Sequence, residues 1–302
     1  MERRVLDITE GNCFLSKQRG SLAIVRNMGE PTEKKLLVPF DEIESVVVNS
    51  PHVSYSNGAL LALAKNAIPL VCCNSSHVPT AWLWPTEANF EQGRRITAQA
   101  ATPKWLRDAL WARIVRTKLE AQAAVVRDEG FANEKLIEFS RNVQSGDSTN
   151  LEAQGARIYW KCLFDEGFRR RRYGSAPNGL LNYGYAILRA TVARQICAVG
   201  LHPSLSLHHH NRFNPMCLAD DFMEPFRPIV DCAVLTLWKS GFEQVTKETK
   251  PVLVSVMTES VRTERGDAPV SRCIEWAAQS LANSFLEGED LLRLPKGSAL
   301  VE

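Results

Sequence analysis

The chain has no apolar run approaching the ~18 residues that a membrane-spanning helix needs, so none of its 302 residues is a candidate span. Its start, Met-Glu-Arg-Arg, leads into an alternating strand pattern rather than the apolar core of a secretory leader, and a cytoplasmic location is expected. None of its eight cysteines forms a C-x-x-C pair, and several lie in apolar helix-like stretches. They read as reduced, packed thiols rather than as a disulfide frame or a zinc ribbon. Phosphate-binding loops of the G-x-x-x-x-G-K or G-x-G-x-x-G type are missing, as is H-E-x-x-H, so neither nucleotide-driven chemistry nor a zinc hydrolase is expected. A strong charge of one sign is missing too: the net charge of +2 excludes a uniformly basic coat but permits local patches.

What is present is an ordinary globular composition, 45% hydrophobic and 23% charged, in a chain long enough for one large or two modest domains. Short β-branched runs fill the first part, with strands expected at Arg4 to Ile8, Leu22 to Val25, Leu36 to Val38, Ser45 to Val48 and Leu70 to Cys73. One helix is expected among them, capped by Ser56 and closed before Pro69. From Thr102 the period becomes helical, with Thr102 as N-cap, Pro103 at the first position, and Leu106, Leu110 and Ile114 at four-residue spacing. Further helices are expected over Ala132 to Val143, Leu151 to Phe164, Gly179 to Val199, Ala219 to about Trp238 and Val270 to Leu286. Gly200, Gly241 and Gly288 stand as stops. The expected fold is α+β: a small β-rich domain over 1–86, a linker over 87–101, a larger all-helical catalytic domain over 102–290, and a tail over 291–302.

The densest chemistry lies between Leu207 and Pro228, which holds His208, His209 and His210 of the chain's six histidines, followed by Asp220, Asp221 and Glu224. Imidazole with carboxylate suits a hard or borderline divalent cation. On one helix the three acids would share a face, and their repulsion calls for something positive between them, either a bound cation or Arg227. Adjacent histidines cannot all face one ion, so at most one or two are ligands. Glu224, set against Pro225, Phe226 and Pro228, would be costly there without a partner. Glu152 has two readings. It can be a ligand, or it can complete a capping box with Thr149 at the start of its helix. The run Arg169 to Arg172, followed by Tyr173, reads either as a solvated loop or as a phosphate contact with a stacking ring.

The stretch "GLLNYGYAILRATVARQICAVGLHPSLSLHHHNRFNPMCLADDFMEPFRPIVD", preceded by "LEAQGARIYW", resembles the CRISPR-associated Cas1 family, the integrase of spacer acquisition. The double histidine followed by Asn211 and Asn214 resembles the branch found in type II systems. The sequence departs from the usual pattern at Ser206, where a glycine commonly precedes the histidines, and at Met216-Cys217, where an aromatic is more typical.

The resemblance implies a metal site of Glu152, His209 and Glu224 holding Mg²⁺ or Mn²⁺, with His208 as the alternative histidine and Asp221 as a supporting acid. It implies transesterification, in which the 3′-hydroxyl ends of short foreign DNA duplexes are joined to the CRISPR repeat. Arg169, Arg170, Arg171, Arg172, Arg212 and Arg227 are the expected DNA-backbone contacts. The implied partners are double-stranded DNA, a second copy of the chain paired through the β-rich domains, and a small ferredoxin-like companion bridging two dimers. A nuclease that only resolves branched DNA and a non-catalytic DNA-binding subunit are the alternative readings.

Overall fold

In the first part of the chain the β-branched runs form two four-stranded sheets. The computed structural model describes residues 4–8, 11–73, 79–83, 91–164, 167–263 and 266–295, and the chain divides into two compact units, Met1–Gln92 and Gly93–Glu302. The strands of the first unit are β1 (Arg4–Ile8), β2 (Cys13–Gln18), β3 (Ser21–Arg26), β4 (Lys34–Pro39), β5 (Ile43–Val48), β6 (Val53–Tyr55), β7 (Leu70–Cys73) and β8 (Pro79–Leu83). One sheet has the order β1-β5-β7-β8 and the other β4-β3-β2-β6. Strand β5 lies parallel to both β1 and β7. Its Val46, Val47 and Val48 are therefore all buried, as in a central parallel strand covered on both faces. Helix α1 (Asn57–Lys65) carries the chain from β6 to β7, and Ser56 Oγ accepts the backbone N–H of Ala59 at 3.1 Å, the cap expected from sequence.

All five expected strands are present, and among the described residues of this unit three more appear. Strand β2 buries only Cys13 and Leu15, and its polar half hides the period of two. It pairs with β3 through a two-residue turn in which Arg19 and Gly20 both have positive φ, 44° and 79°, as the tightest hairpin requires.

The second unit contains α2 (Gln92–Ala101), α3 (Lys104–Asp128), α4 (Glu134–Asn142), α5 (Leu151–Leu163), α6 (Asn178–Ala198), α7 (Cys217–Phe222), α8 (Arg227–Lys239), α9 (Thr249–Ser255) and α10 (Val270–Glu287). It is not all-helical, because β9 (Ser260–Thr263) and β10 (Gly266–Pro269) form an antiparallel pair before α10. The expected linker is also corrected. Gln92–Ala101 is a helix, all but its first residue in this unit, with Arg95 donating to the Val199 carbonyl at 2.7 Å and Gln99 to those of His202 and Leu205 at 2.9 and 2.8 Å. Residues 87–90 of that linker and 296–302 of the expected tail lie outside the described residues. Thr102 does not cap α3: its hydroxyl donates back to the Ala98 carbonyl at 2.9 Å, and Pro103 holds the N-cap position.

Gly200, Gly241 and Gly288 follow α6, α8 and α10 with φ of 73°, 84° and 71°, the left-handed stops expected of them. The single helix expected from Ala219 to Trp238 is broken. Pro225 and Pro228 lack the N–H groups that a continuous helix would use. The chain passes from α7 through a 3₁₀ turn at Glu224–Phe226 into α8.

Candidate active site

Because the helix breaks, the three acids of "DDFME" turn to three different partners instead of sharing a face. Asp220 receives Arg189 in a two-pronged pair at 2.6 and 2.7 Å. Asp221, fully buried, accepts the backbone N–H groups of Leu207 and His208 at 2.9 and 2.8 Å, and its other oxygen lies 2.6 Å from His209 Nδ1. Glu224 faces α3, where Lys118 Nζ lies 2.5 Å from its Oε2. Arg227 Nε lies 2.9 Å from the other oxygen as an ion pair, without the alignment of a hydrogen bond.

Glu152 reaches the same lysine from α5, with Oε1 2.6 Å from Lys118 Nζ. The capping-box reading of Glu152 is overturned. Asp147 occupies the helix start, its two oxygens accepting the backbone N–H of Leu151 at 2.8 Å and of Glu152 at 3.0 Å. Asn150 caps Ala153 at 3.4 Å. The orphan donors of the first turn are thus served by other side chains, and the Glu152 carboxylate is left for the interior. Gly155 permits the close approach of α5 to α3, since a Cβ there would run into the buried Leu119 side chain.

Charge decides the state of these groups. Burial works against the Glu224 carboxylate, but Arg227 and Lys118 outweigh it and hold its pKa below the usual value. Burial likewise opposes the Lys118 ammonium, and Glu224 and Glu152 outweigh it and hold its pKa above the usual value. The hydrogen bond to Asp221 raises the His209 pKa, whereas burial and then the neighbouring His209 lower that of His208.

The three histidines also diverge. The His208 ring stacks on Trp111 with centroids 4.6 Å apart and planes 4° from parallel. His210 Nδ1 lies 2.6 Å from the hydroxyl of Ser206, so the residue that departs from the usual glycine has a partner of its own. In its neutral form, with Nδ1–H donated to the Asp221 carboxylate, the His209 ring would keep the Nε2 lone pair for a ligand.

Two carboxylates already drawn to one cation, with an imidazole held by a buried acid and coupled to both of them, form a donor set that fits Mg²⁺ or Mn²⁺. Among the described residues no three acids, histidines or cysteines are gathered closely enough to enclose an ion by themselves. The position shared by Glu152 and Glu224 is filled by Lys118 Nζ.

The profile described as "CRISPR associated protein Cas1" matches residues 6–263. This chain belongs to the Cas1 family. A relative named CRISPR-associated endonuclease Cas1, from Neisseria meningitidis serogroup C (strain 8013), is 34% identical over 255 residues, which is 83% of this chain and 82% of the relative. Among solved structures, a casposase bound to integration product has a TM-score of 0.80 at 18% identity, over 97% of this chain and 92% of its own. A Cas6-RT-Cas1–Cas2 complex has a TM-score of 0.78 at 14% identity, over 98% of this chain and 36% of the matched one. Both share the Cas1 fold, with its β-rich first part and helical second part.

Within that fold the expected DNA-binding arginines divide into two groups. Arg169, Arg171, Arg172 and Arg212 are exposed. Arg172 lies over Tyr173 and Arg212 over Phe213, with the two rings 74% and 79% exposed. Arg170 and Arg227 depart from the expectation, because their guanidinium groups already serve the interior. Arg170 donates to the Asn178 and Asn182 side chains at 2.9 Å each and lies over the Tyr185 ring. Arg227 lies over the same ring and pairs with Glu224. The Tyr185 and Tyr159 hydroxyls both donate to the buried Asp231.

Sequence reasoning missed Lys118, Trp111 and Asp147. For Lys118 a signal exists: it falls among Leu110, Ile114, Val115 and Leu119 on an apolar helix, where an unpaired ammonium would be prohibitive.

Proposed function

We propose that this Cas1-family chain is a metal-dependent DNA integrase and endonuclease of CRISPR adaptation, joining the 3′-hydroxyl ends of short foreign DNA duplexes to the CRISPR repeat. The observation that carries the reading is the convergence of Glu152 and Glu224, from different helices, on one cation position at 2.6 and 2.5 Å. A Mg²⁺ or Mn²⁺ ion held by Glu152, His209 and Glu224 would lower the pKa of the attacking hydroxyl and offset the charge that gathers on the phosphate oxygens.

The chain's own groups do the positioning. Asp221 fixes the ring of His209 and leaves Nε2 as the ligand atom, which favours His209 over His208, whose ring is stacked on Trp111. Arg227 keeps Glu224 ionised in its buried setting. No protein nucleophile is needed, because the attacking group belongs to DNA. The exposed arginines Arg169, Arg171, Arg172 and Arg212, with Tyr173 and Phe213 beside them, are suited to phosphate contact and stacking.

The comparisons support the assignment: the Neisseria relative is an endonuclease, and the structures of similar fold include a casposase bound to integration product and a complex with Cas2. In our reading the chain works in the cytoplasm as a homodimer through its β-rich unit, in complex with double-stranded DNA and a small ferredoxin-like companion. Among the described residues no helix is long and apolar enough to cross a membrane.

The test is plasmid integration. A short 3′-hydroxyl duplex is incubated with supercoiled repeat-bearing plasmid in Mg²⁺ or Mn²⁺, with companion protein present. Joined product is expected from the wild type and not from Glu152→Ala, His209→Ala or Glu224→Ala. Full joining by all three variants would sink the reading, and cleavage without joining would favour a nuclease that only resolves branched DNA.

A further inference from the structure

We infer that Lys118 is the site's built-in counter-ion: its ammonium holds the position between Glu152 and Glu224 when no divalent ion is bound, and it must leave that position when one binds. The inference rests on the metal reading above and deepens it. Lys118 Nζ contacts Glu152 Oε1 at 2.6 Å and Glu224 Oε2 at 2.5 Å, with both carboxylates and the lysine side chain at least four-fifths buried. The second Glu224 oxygen is held by Arg227 at 2.9 Å. Any ion shared by the two carboxylates at ordinary metal–oxygen distances, ~2.1 Å for Mg²⁺, would therefore overlap the ammonium.

The charges agree with the geometry. Glu152 and Glu224 contribute two negative charges, and Lys118 and Arg227 contribute two positive ones, so the cluster is neutral without metal. Buried carboxylates need such compensation, and a buried pair of this kind adds little net stability over an apolar core. A lysine retained there is better explained by what it does for the site than by stability alone. It sits between the Glu152 and Glu224 carboxylates before metal arrives, at the cost of competing with the metal.

The competition can be read without catalysis. Mn²⁺ binding is followed by electron paramagnetic resonance of the free ion, and thermal unfolding is followed in EDTA and in Mn²⁺, for the wild type, Lys118→Met, Lys118→Gln and Lys118→Arg. Removing the positive charge should tighten Mn²⁺ binding about tenfold or more, lower the melting temperature in EDTA, and enlarge the rise that Mn²⁺ produces. Lys118→Arg keeps the charge and should stay near the wild-type affinity or bind more weakly. Glu152→Gln should lose binding, which identifies the site.

If Lys118→Met folds only with Mn²⁺, displacement is supported in a stronger form. If it does not fold at all, the Gln and Arg variants carry the comparison. Equal or weaker Mn²⁺ binding in the neutral variants, with normal binding in the wild type, overturns the inference while leaving the metal site standing. Absence of Mn²⁺ binding in the wild type and in every variant overturns the metal reading itself.

Discussion

The carboxylate of Asp147 accepts the backbone N–H of Glu152 at 3.0 Å, so Glu152 is held through its main chain and its side chain is spared for Lys118. Asp147→Ala should therefore remove a true helix cap and cost about 1–2 kcal/mol. Thr149→Ala, which would cost a similar amount if the capping-box pattern were real, should be nearly neutral. Urea unfolding of the two variants distinguishes them, and a larger loss from Thr149→Ala would reverse the assignment.

Asp221→Asn keeps the volume of the buried side chain but replaces one oxygen with a donor facing His209 or the Leu207 and His208 amides. Joining activity should fall roughly 10- to 100-fold, the usual cost of disturbing a group that orients a metal ligand. His208→Ala should reduce packing against Trp111 while retaining far more activity than His209→Ala. Single-turnover joining measures both, and equal losses at 208 and 209 would contradict the choice of His209.

Burial pushes the Asp231 carboxyl up to about 6, despite the hydrogen bonds that Tyr185 and Tyr159 donate to it. The folded state then holds this proton more tightly than the unfolded chain does. Stability from this group is full below the unfolded value near 4 and is lost as pH rises to about 6, by about 3 kcal/mol at 1.36 kcal/mol per unit. In Asp231→Asn that slope should vanish, so the wild-type-minus-variant stability should fall between pH 4 and 6 and be flat above. A difference independent of pH would refute the shift.

Gly155→Ala should be costly, about 1–3 kcal/mol by overpacking α5 on α3, and should lower joining because Glu152 rides on α5. Gly179→Ala offers the contrast. A Cβ at Gly179 meets nothing within 4 Å, and the exchange should stabilise by up to about 1 kcal/mol. Thermal melts of both variants suffice as the check.

Charge reversal at Arg171, Arg172 or Arg212 should weaken DNA binding alike for all sequences and flatten the salt dependence by about one unit per lost phosphate contact. Arg170→Glu should instead melt early, since Asn178, Asn182 and Tyr185 each lose one of their partners. Fluorescence anisotropy over a salt series, beside melting curves, separates the two behaviours.

What was legible in the sequence follows physical lines. Branched runs such as Val46 to Val48 announce themselves because both faces of the strand are buried, and Gly200, Gly241 and Gly288 do so because only positive φ closes those helices cheaply. Strand β2 hid behind its polar half. The break before Glu224 was misread because charge periodicity suggested a helix that Pro225 and Pro228 forbid. The family pattern pointed to Glu152, His209 and Glu224, but residue types alone could not reveal Lys118, which lies 34 positions before Glu152 and meets the acids only in the folded chain.

Helix α3 contributes no ligand, yet Trp111 touches both His208 and His209, while seven residues along Lys118 touches both glutamates. Those two points lie ~10 Å apart on one rigid rod, so α3 serves as a gauge against which the other elements are set. A shift of the rod by a single residue would misplace every contact together. Substitutions at Trp111, Lys118, His209 and Glu224 should therefore combine non-additively, and the site's tolerance to change belongs to the helix as a whole rather than to any one side chain.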